Sequence, residues 1–454
     1  MKPNQQTAVF VLIAVLTTAA IGIGVTYVML APGSTAETDS LTISHWWTSA
    51  GEAAAINDLI AEYKSLYPNT TVYSAAIAGG GGFSLRVVLK TQILAGDIPD
   101  TFQVHAGYEW KEFYDANLLE RVDHIWTTEL QAAVPDVVEE INKGPDGHYY
   151  SVPVNIHRAN VLWVNKDLWE TQAASAGITY TLDQINNNWT IFREVLYELD
   201  ADGNTEPLAL GFDWTQAHLF EQVLAGLGID AYEAWVNGEI DSATATHYPD
   251  LLEAAEICAN LSYYTTGKDQ EWNEAIADVI SNVSTSSVFS IMGDWAAGEF
   301  IAISQNLGEH YEAIASPGTE NMYGLVVDCF ESPKGNKHPT NVDRWLETVA
   351  SIDGQDAFNL QKGSIPARTD TTATYNDYQN SAMADFAAIE ASGSSYMFPS
   401  VIHGSGAPEK FVNDLVPQVE LIFTTPASYA TYATAIAALA ATYSAEFTRT
   451  WVLD

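Results

Sequence analysis

Between Leu41 and His105 the chain alternates between two hydrophobic periods, and this alternation limits the fold more than any other feature. Leu41 to Ser44 reads as a strand, and Glu52 to Tyr67 carries apolar residues at helical spacing before stopping at Pro68. Thr70 to Ala76 is rich in β-formers, and Phe83 to Leu94 is helical again. The turn Gly96-Asp97-Ile98-Pro99-Asp100 then leads into the strand-like Thr101 to His105. Strand, helix, strand, helix, strand with short connections predicts an α/β domain built on an open sheet. Ligands collect at the strand ends of such sheets, where this sequence puts Trp46, Trp47, Gln103 and His105.

A second unit is expected after Tyr149-Tyr150-Ser151-Val152-Pro153, an extended segment suited to a hinge. Strands are predicted at Asn160 to Val164, Leu208 to Gly211 and Ser287 to Met292. A helix lies within Thr181 to Leu199, Ala245 to Val283 is mainly helical, and a helix over Ser428 to Tyr443 closes the chain. Two α/β lobes with a cleft between them is the simplest architecture for this order.

Composition narrows the function. The chain carries 58 Asp and Glu against 18 Lys and Arg, a formal charge of −40. Such a surface cannot neutralise phosphates, so nucleic acid and polybasic membrane-surface roles are excluded. A hydrophobic fraction of 47% excludes a disordered acidic chain. At the start, Ala8 to Leu30 is apolar and uncharged, and as a helix would reach about 34 Å, enough for the ~30 Å hydrocarbon core. With Lys2 before it, the run reads as an uncleaved transmembrane signal anchor with the body outside; a cleaved signal peptide is the competing reading. Residues 31–40 form a polar linker, and the sequons at Asn69, Asn188, Asn260 and Asn282 suit a surface glycoprotein. Cys258 and Cys329 are the only cysteines; they could form one bridge, which spacing alone cannot decide.

The familiar catalytic signatures are missing. Gly79 to Gly82 lacks the Gly-Lys-Ser/Thr of a phosphate loop and reads as a turn. There is no G-x-S-x-G, no H-E-x-x-H and no Cys/His metal spacing, so neither metal nor cofactor is expected. What stands out is Trp46, Trp47, Trp214 and Trp295 at element ends, beside polar groups such as Glu52, Gln103, Asn155 and Asp294. Sugars need flat apolar faces for their C–H patches and bidentate polar groups for their hydroxyls. His105, His157, His403 and Lys362 are further candidates, the lysine because bases are scarce here.

Together these pieces carry a resemblance. HWWTSAGE (45–52), LKTQILAGDIPDTFQVHAGYE (89–109), SVPVNIHRANVLW (151–163), ALGFDWTQAH (209–218), SIMGDWAAG (290–298), GQDAFNLQKGSIPAR (354–368) and HGSGAPEKF (403–411) follow in one order. From Leu41 onwards the chain resembles the extracellular solute-binding proteins of carbohydrate ABC importers, most closely those of glucose/galactose type. The resemblance implies a two-lobed, type II periplasmic-binding-protein fold with a hinge and an interlobe cleft. The expected division is 1–40 anchor and linker, 41–152 first lobe, 153–317 second lobe, 318–361 return to the first, and 362–454 second lobe with C-terminal helices. It implies ligand contacts from Trp46, Trp47, Glu52, Gln103, His105, Asn155, His157, Trp214 and Asp294. Lys362 and His403 would reach in from late segments, with Asp328 and Trp272 as further candidates. The implied partners are a neutral sugar and the importer permease, with the membrane engaged through the N-terminal helix. An extracellular carbohydrate-active enzyme and a sensory or structural surface glycoprotein remain open alternatives at this point.

Overall fold

A computed structural model of the protein describes residues 39–204, 206–266, 270–281, 286–392 and 395–453. The apolar run Ala8–Leu30 and the sequon at Asn282 lie outside them. Among the described residues no helix is long and apolar enough to cross a membrane.

The predicted alternation is present at its start. Strand β1 (Ser40–His45) leads into helix α1 (Ala50–Leu66), β2 (Thr71–Ala76), α2 (Phe83–Leu94), β3 (Thr101–His105) and α3 (Tyr108–Asp115). Helix α1 buries Ala55, Ile56, Leu59 and Tyr63, a stripe at helical spacing. Strands β1 and β3 are hidden in the middle of the sheet, whereas β2 lies at its edge with Tyr73 exposed.

The chain then crosses to new sheets. β4 (Ser151–Pro153) runs straight into β5 (Asn155–Arg158), followed by β6 (Val161–Asn165), β7 (Leu208–Ala209), α4 (Trp214–Leu227), α5 (Trp272–Ile280) and β8 (Phe289–Ile291). Next come α6 (Ala297–Ala302), β9 (Tyr311–Ala315), β10 (Met322–Val326), β11 (Asp328–Glu331), α7 (Pro339–Ala350), α8 (Ile352–Lys362), β12 (Ile365–Pro366) and β13 (Tyr396–Pro399). Among the described residues three sheets result, with strand orders β2-β1-β3-β11-β4, β12-β5-β10-β13 and β7-β8-β6-β9.

The crossings are adjacent. β4 and β5 are separated only by Val154, and β10 and β11 only by Val327. The two strings run antiparallel, with His157 opposite Val326 and Pro153 opposite Cys329. Val154 N–H donates to Asp328 O at 2.9 Å between them. A third passage, from Lys362 to Ile365, brings β12 against β5. The boundary expected at 318 falls ahead of β10, whose partners are β5 and β13; the first sheet resumes at Asp328.

Some elements differ from expectation. The helix within Thr181–Leu199 is two, Leu182–Asn186 and Trp189–Ala201, because the Asn188 side chain accepts from Ile191 N–H and starts a new one. Strand β7 is shorter than predicted: Phe212 N–H bonds Gln270 O and Asp213 takes a positive φ, so the chain turns away. The cysteines do not pair. Both are free and buried, one on the Tyr248–Leu261 helix and the other on β11.

Candidate functional site

The carboxyl ends of β1 and β3 open onto a cavity of about 210 Å³. It is lined by Trp46, Trp47, Glu52, His105, His157, Trp214, Trp272, Asp328, Lys362 and His403, all expected from the sequence. Three other expected residues, Gln103, Asn155 and Asp294, stand behind this lining and hold it in place.

The hub is Asp328, at the return crossing. Its Oδ1 accepts from Gln103 Nε2 at 2.8 Å, and its Oδ2 accepts from Asn155 Nδ2 at 2.9 Å. Asn155 Oδ1 in turn accepts from Asp328 N–H at 3.0 Å. His157 Nε2 lies 3.2 Å from Asp328 Oδ2, and its Nδ1 makes a very short contact with Asp294. Burial works against a charged His157, but Asp294 and Asp328 outweigh it and hold its proton affinity above the ordinary imidazole value. Burial would likewise raise Asp328, yet His157, His105 and Lys362 hold its carboxyl well below the usual carboxylate range. The wall is an ordered set of charges with nearly every polar atom engaged.

A second charged pair sits beside it. Glu52, in the first turn of α1, accepts from Lys362 Nζ at 2.9 Å through Oε1 and from Thr48 N–H at 3.3 Å through Oε2. Lys362 also lies over the Trp47 ring, 5.9 Å from its centroid.

The adjoining part of the lining is aromatic. Ring centroids are 4.8 Å apart for Trp46 and His105, 5.8 Å for His105 and His403, and 4.6 Å for His403 and Trp295. Trp214 joins at 5.5 Å from His403. Burial, with His218, His105, His157 and Arg86 nearby, pushes His403 well below the ordinary imidazole range, so its ring is neutral.

The sequence reading missed several lining groups. Trp295 stood out as an element-end tryptophan but was not among the expected contacts; its place directly after Asp294 was the available signal. Thr48, Ser49, Glu271 and Asn273 carried none. The glycine turn is part of the lining rather than a bare connection: a Cβ on Gly80 would lie 2.2 Å from the Trp214 ring. Only glycine permits that approach.

Behind the aromatic wall, Glu221 is fully buried and accepts from Ser400 Oγ at 2.8 Å and Val401 N–H at 2.6 Å, with Tyr232 also donating. Burial, only partly offset by these donors, pushes its carboxyl up to about 7. The folded state therefore keeps a proton that the unfolded state releases from about pH 4.5 upward. Stability tied to this group is complete below that pH and is lost as pH rises through about 7, an amount on the order of 3 kcal/mol. Urea unfolding at pH 4.5, 6 and 8 is expected to show the wild type losing stability relative to Glu221→Gln; parallel curves would contradict this.

An α/β scaffold whose crossings and strand ends converge on one small polar–aromatic cavity defines a ligand-binding protein. The comparisons agree with that class. The model of the bacterial extracellular solute-binding proteins matches residues 46–356, and the chain belongs to that family. It is 35% identical to an ABC transporter extracellular-binding protein of Pyrococcus horikoshii, over 85% of this chain and 83% of the other. It is 30% identical to a probable sugar-binding periplasmic protein of Rhizobium meliloti, over 85% and 89% respectively. The fold is that of the bacterial solute receptor AcbH, which prefers β-D-galactopyranose, at a TM-score of 0.71 and 16% identity, over 90% of this chain and 99% of that one. Proteins of this family bind solutes and do not transform them, so the chain is not an enzyme.

Proposed function

We propose that this protein captures a neutral monosaccharide or small oligosaccharide, of glucose or galactose type, and delivers it to the permease of an ABC importer. The observation that carries this reading is the mixed lining of the cavity. The rings of Trp46, His105, His403, Trp295 and Trp214 adjoin the charged and hydrogen-bonding set of Glu52, Lys362, His157 and Asp328. A pyranose has an apolar C–H face and a rim of vicinal hydroxyls, and this mixed lining matches it. A cavity of about 210 Å³ is small beside the roughly 300–1,000 Å³ of drug-sized sites, which favours a single ring. The residues behind the lining, Gln103, Asn155 and Asp294, fix the charged wall before the ligand arrives, which lowers the entropy lost on binding.

In this reading the first sheet and its helices form one lobe and the other two sheets form the second. The chain passes between them at Val154, at Val327 and between Lys362 and Ile365, and these passages act as the hinge. The ligand favours the closed form because only there does it touch residues of both lobes, such as Trp46 and Glu52 from the first and Trp214 and Trp295 from the second, and the permease distinguishes closed from open. Residues 8–30 anchor the body at the outer face of the membrane.

The test is isothermal titration against a panel of mono- and disaccharides, with recovered sugar analysed after long incubation. A neutral sugar is expected to bind, to raise the melting temperature and to be recovered unchanged. The full chain is expected in the membrane fraction, and the chain lacking residues 1–30 in the supernatant. If no sugar on the panel shifts the melting curve, this reading is wrong.

A further inference from the structure

Resting on that reading, we infer that Glu52 sets the charge selectivity of the cavity: by occupying Lys362 it makes the site refuse sugar acids while accepting neutral sugars of the same shape.

The buried cations at the site are already paired. Lys362 is 1% exposed, and its ammonium bonds Glu52 at 2.9 Å. His157 is enclosed between Asp294 and Asp328. Arg86, behind the glycine turn, is held by Glu109 at 2.9 Å and Glu409 at 3.4 Å. Among the described residues, each of these buried cations already has a carboxylate. An arriving ligand carboxylate would meet Glu52, Asp328 and Glu271 with no free counter-charge among the described residues, and its hydration would not be replaced. A neutral hydroxyl or amide at the same place accepts from Lys362 and donates to Glu52 or Asp328 without disturbing either pair.

Of the carboxylates, Glu52 is the one whose removal frees a cation without dismantling the wall. It belongs to α1 and contacts Lys362 and Thr48, whereas Asp328 is bound by Gln103, Asn155 and His157 at once. With Glu52 neutralised, Lys362 is a buried ammonium lacking its carboxylate partner, and a ligand carboxylate supplies the missing charge.

The experiment titrates D-glucose, D-galactose, D-glucuronate, D-galacturonate and the primary amides of the two acids at pH 6, where the free sugar acids are ionised. Wild type is expected to bind a neutral hexose and the matching amide, and to bind the acid at least a hundredfold more weakly than the amide. Glu52→Gln is expected to narrow that gap to less than tenfold, and Glu52→Gln combined with Lys362→Met to restore it. An acid that binds wild type within tenfold of its amide overturns the inference, as does an unchanged gap in a Glu52→Gln protein that melts cooperatively. Should that variant not fold, the acid-against-amide comparison in wild type decides alone. If wild type binds no neutral sugar or amide, the sugar reading itself has failed and takes this inference with it.

Discussion

Replacing Asp328 by alanine is expected to remove ligand binding and to cost a large part of the stability. The carboxylate is buried and serves Gln103, Asn155 and His157 simultaneously, with His105 Nε2 3.7 Å away. Its loss removes the acceptor of Gln103 Nε2 and one acceptor each from Asn155 Nδ2 and His157 Nε2. Removing one member of a buried ion pair costs about 3–5 kcal/mol, because the partner's desolvation is no longer compensated. Affinity is expected to fall at least roughly a hundredfold, about 2.7 kcal/mol, as the charged wall loses its register. Asp328→Asn keeps an acceptor and the shape, so it should fold better than the alanine variant while still binding poorly. Urea unfolding and sugar titration of both variants measure this. Binding within threefold of wild type in Asp328→Ala would show that the hub is not needed for recognition.

Gly51→Val is expected to separate folding from binding. At the mouth of α1 the chain meets α6 backbone to backbone: a Cβ on Gly51 would lie 2.5 Å from Gly298 C and 2.7 Å from its O. A Cβ on Gly298 would lie 2.9 Å from Lys362 O, and Gly51 N–H donates to Glu299 Oε1 at 3.2 Å. Helix α1 belongs to the first sheet and α6 follows β8 of the third, so this seam spans the proposed cleft one residue from Glu52. Backbone cannot yield as a flexible side chain can, and overpacking of this kind costs about 1–3 kcal/mol. If closure needs the seam, that cost falls on the closed state. Affinity then drops by roughly tenfold to a hundredfold, the circular dichroism spectrum is retained, and small-angle scattering shows less compaction on adding sugar. Unchanged affinity in Gly51→Val would mean that the seam forms no part of closure.

The early fold was legible because its signals are local. Helix α2 and strand β3 have the predicted bounds, since a period of 3.6 or 2 and a breaker such as Pro68 or Gly96 lie within a few residues of each other. The interruption at Asn188 was harder, because a capping side chain looks in sequence like any polar helix residue. Most of the lining was legible because Trp46, His105, Trp214 and their neighbours sit where elements end. The difference between lining and support was not. Gln103, Asn155 and Asp294 have the same chemistry as a sugar contact, and only the fold turns them toward Asp328 and His157. The glycine turn at 79–82 was read as a bare connection because the ring it accommodates, Trp214, lies far away in sequence.

The order of the first sheet has a consequence for how the chain is made. β11 lies between β3 and β4, so the sheet has a missing middle until residues 328–331 have been synthesised. At roughly 5–20 residues per second, that gap lasts on the order of 10–45 s after β3 has emerged. Throughout it, β3 offers an open edge carrying buried-type residues such as Phe102 and Val104. That nascent edge is a place where the unfinished chain is open to strand-by-strand association, and a host that exports or chaperones it slowly is expected to yield more aggregate.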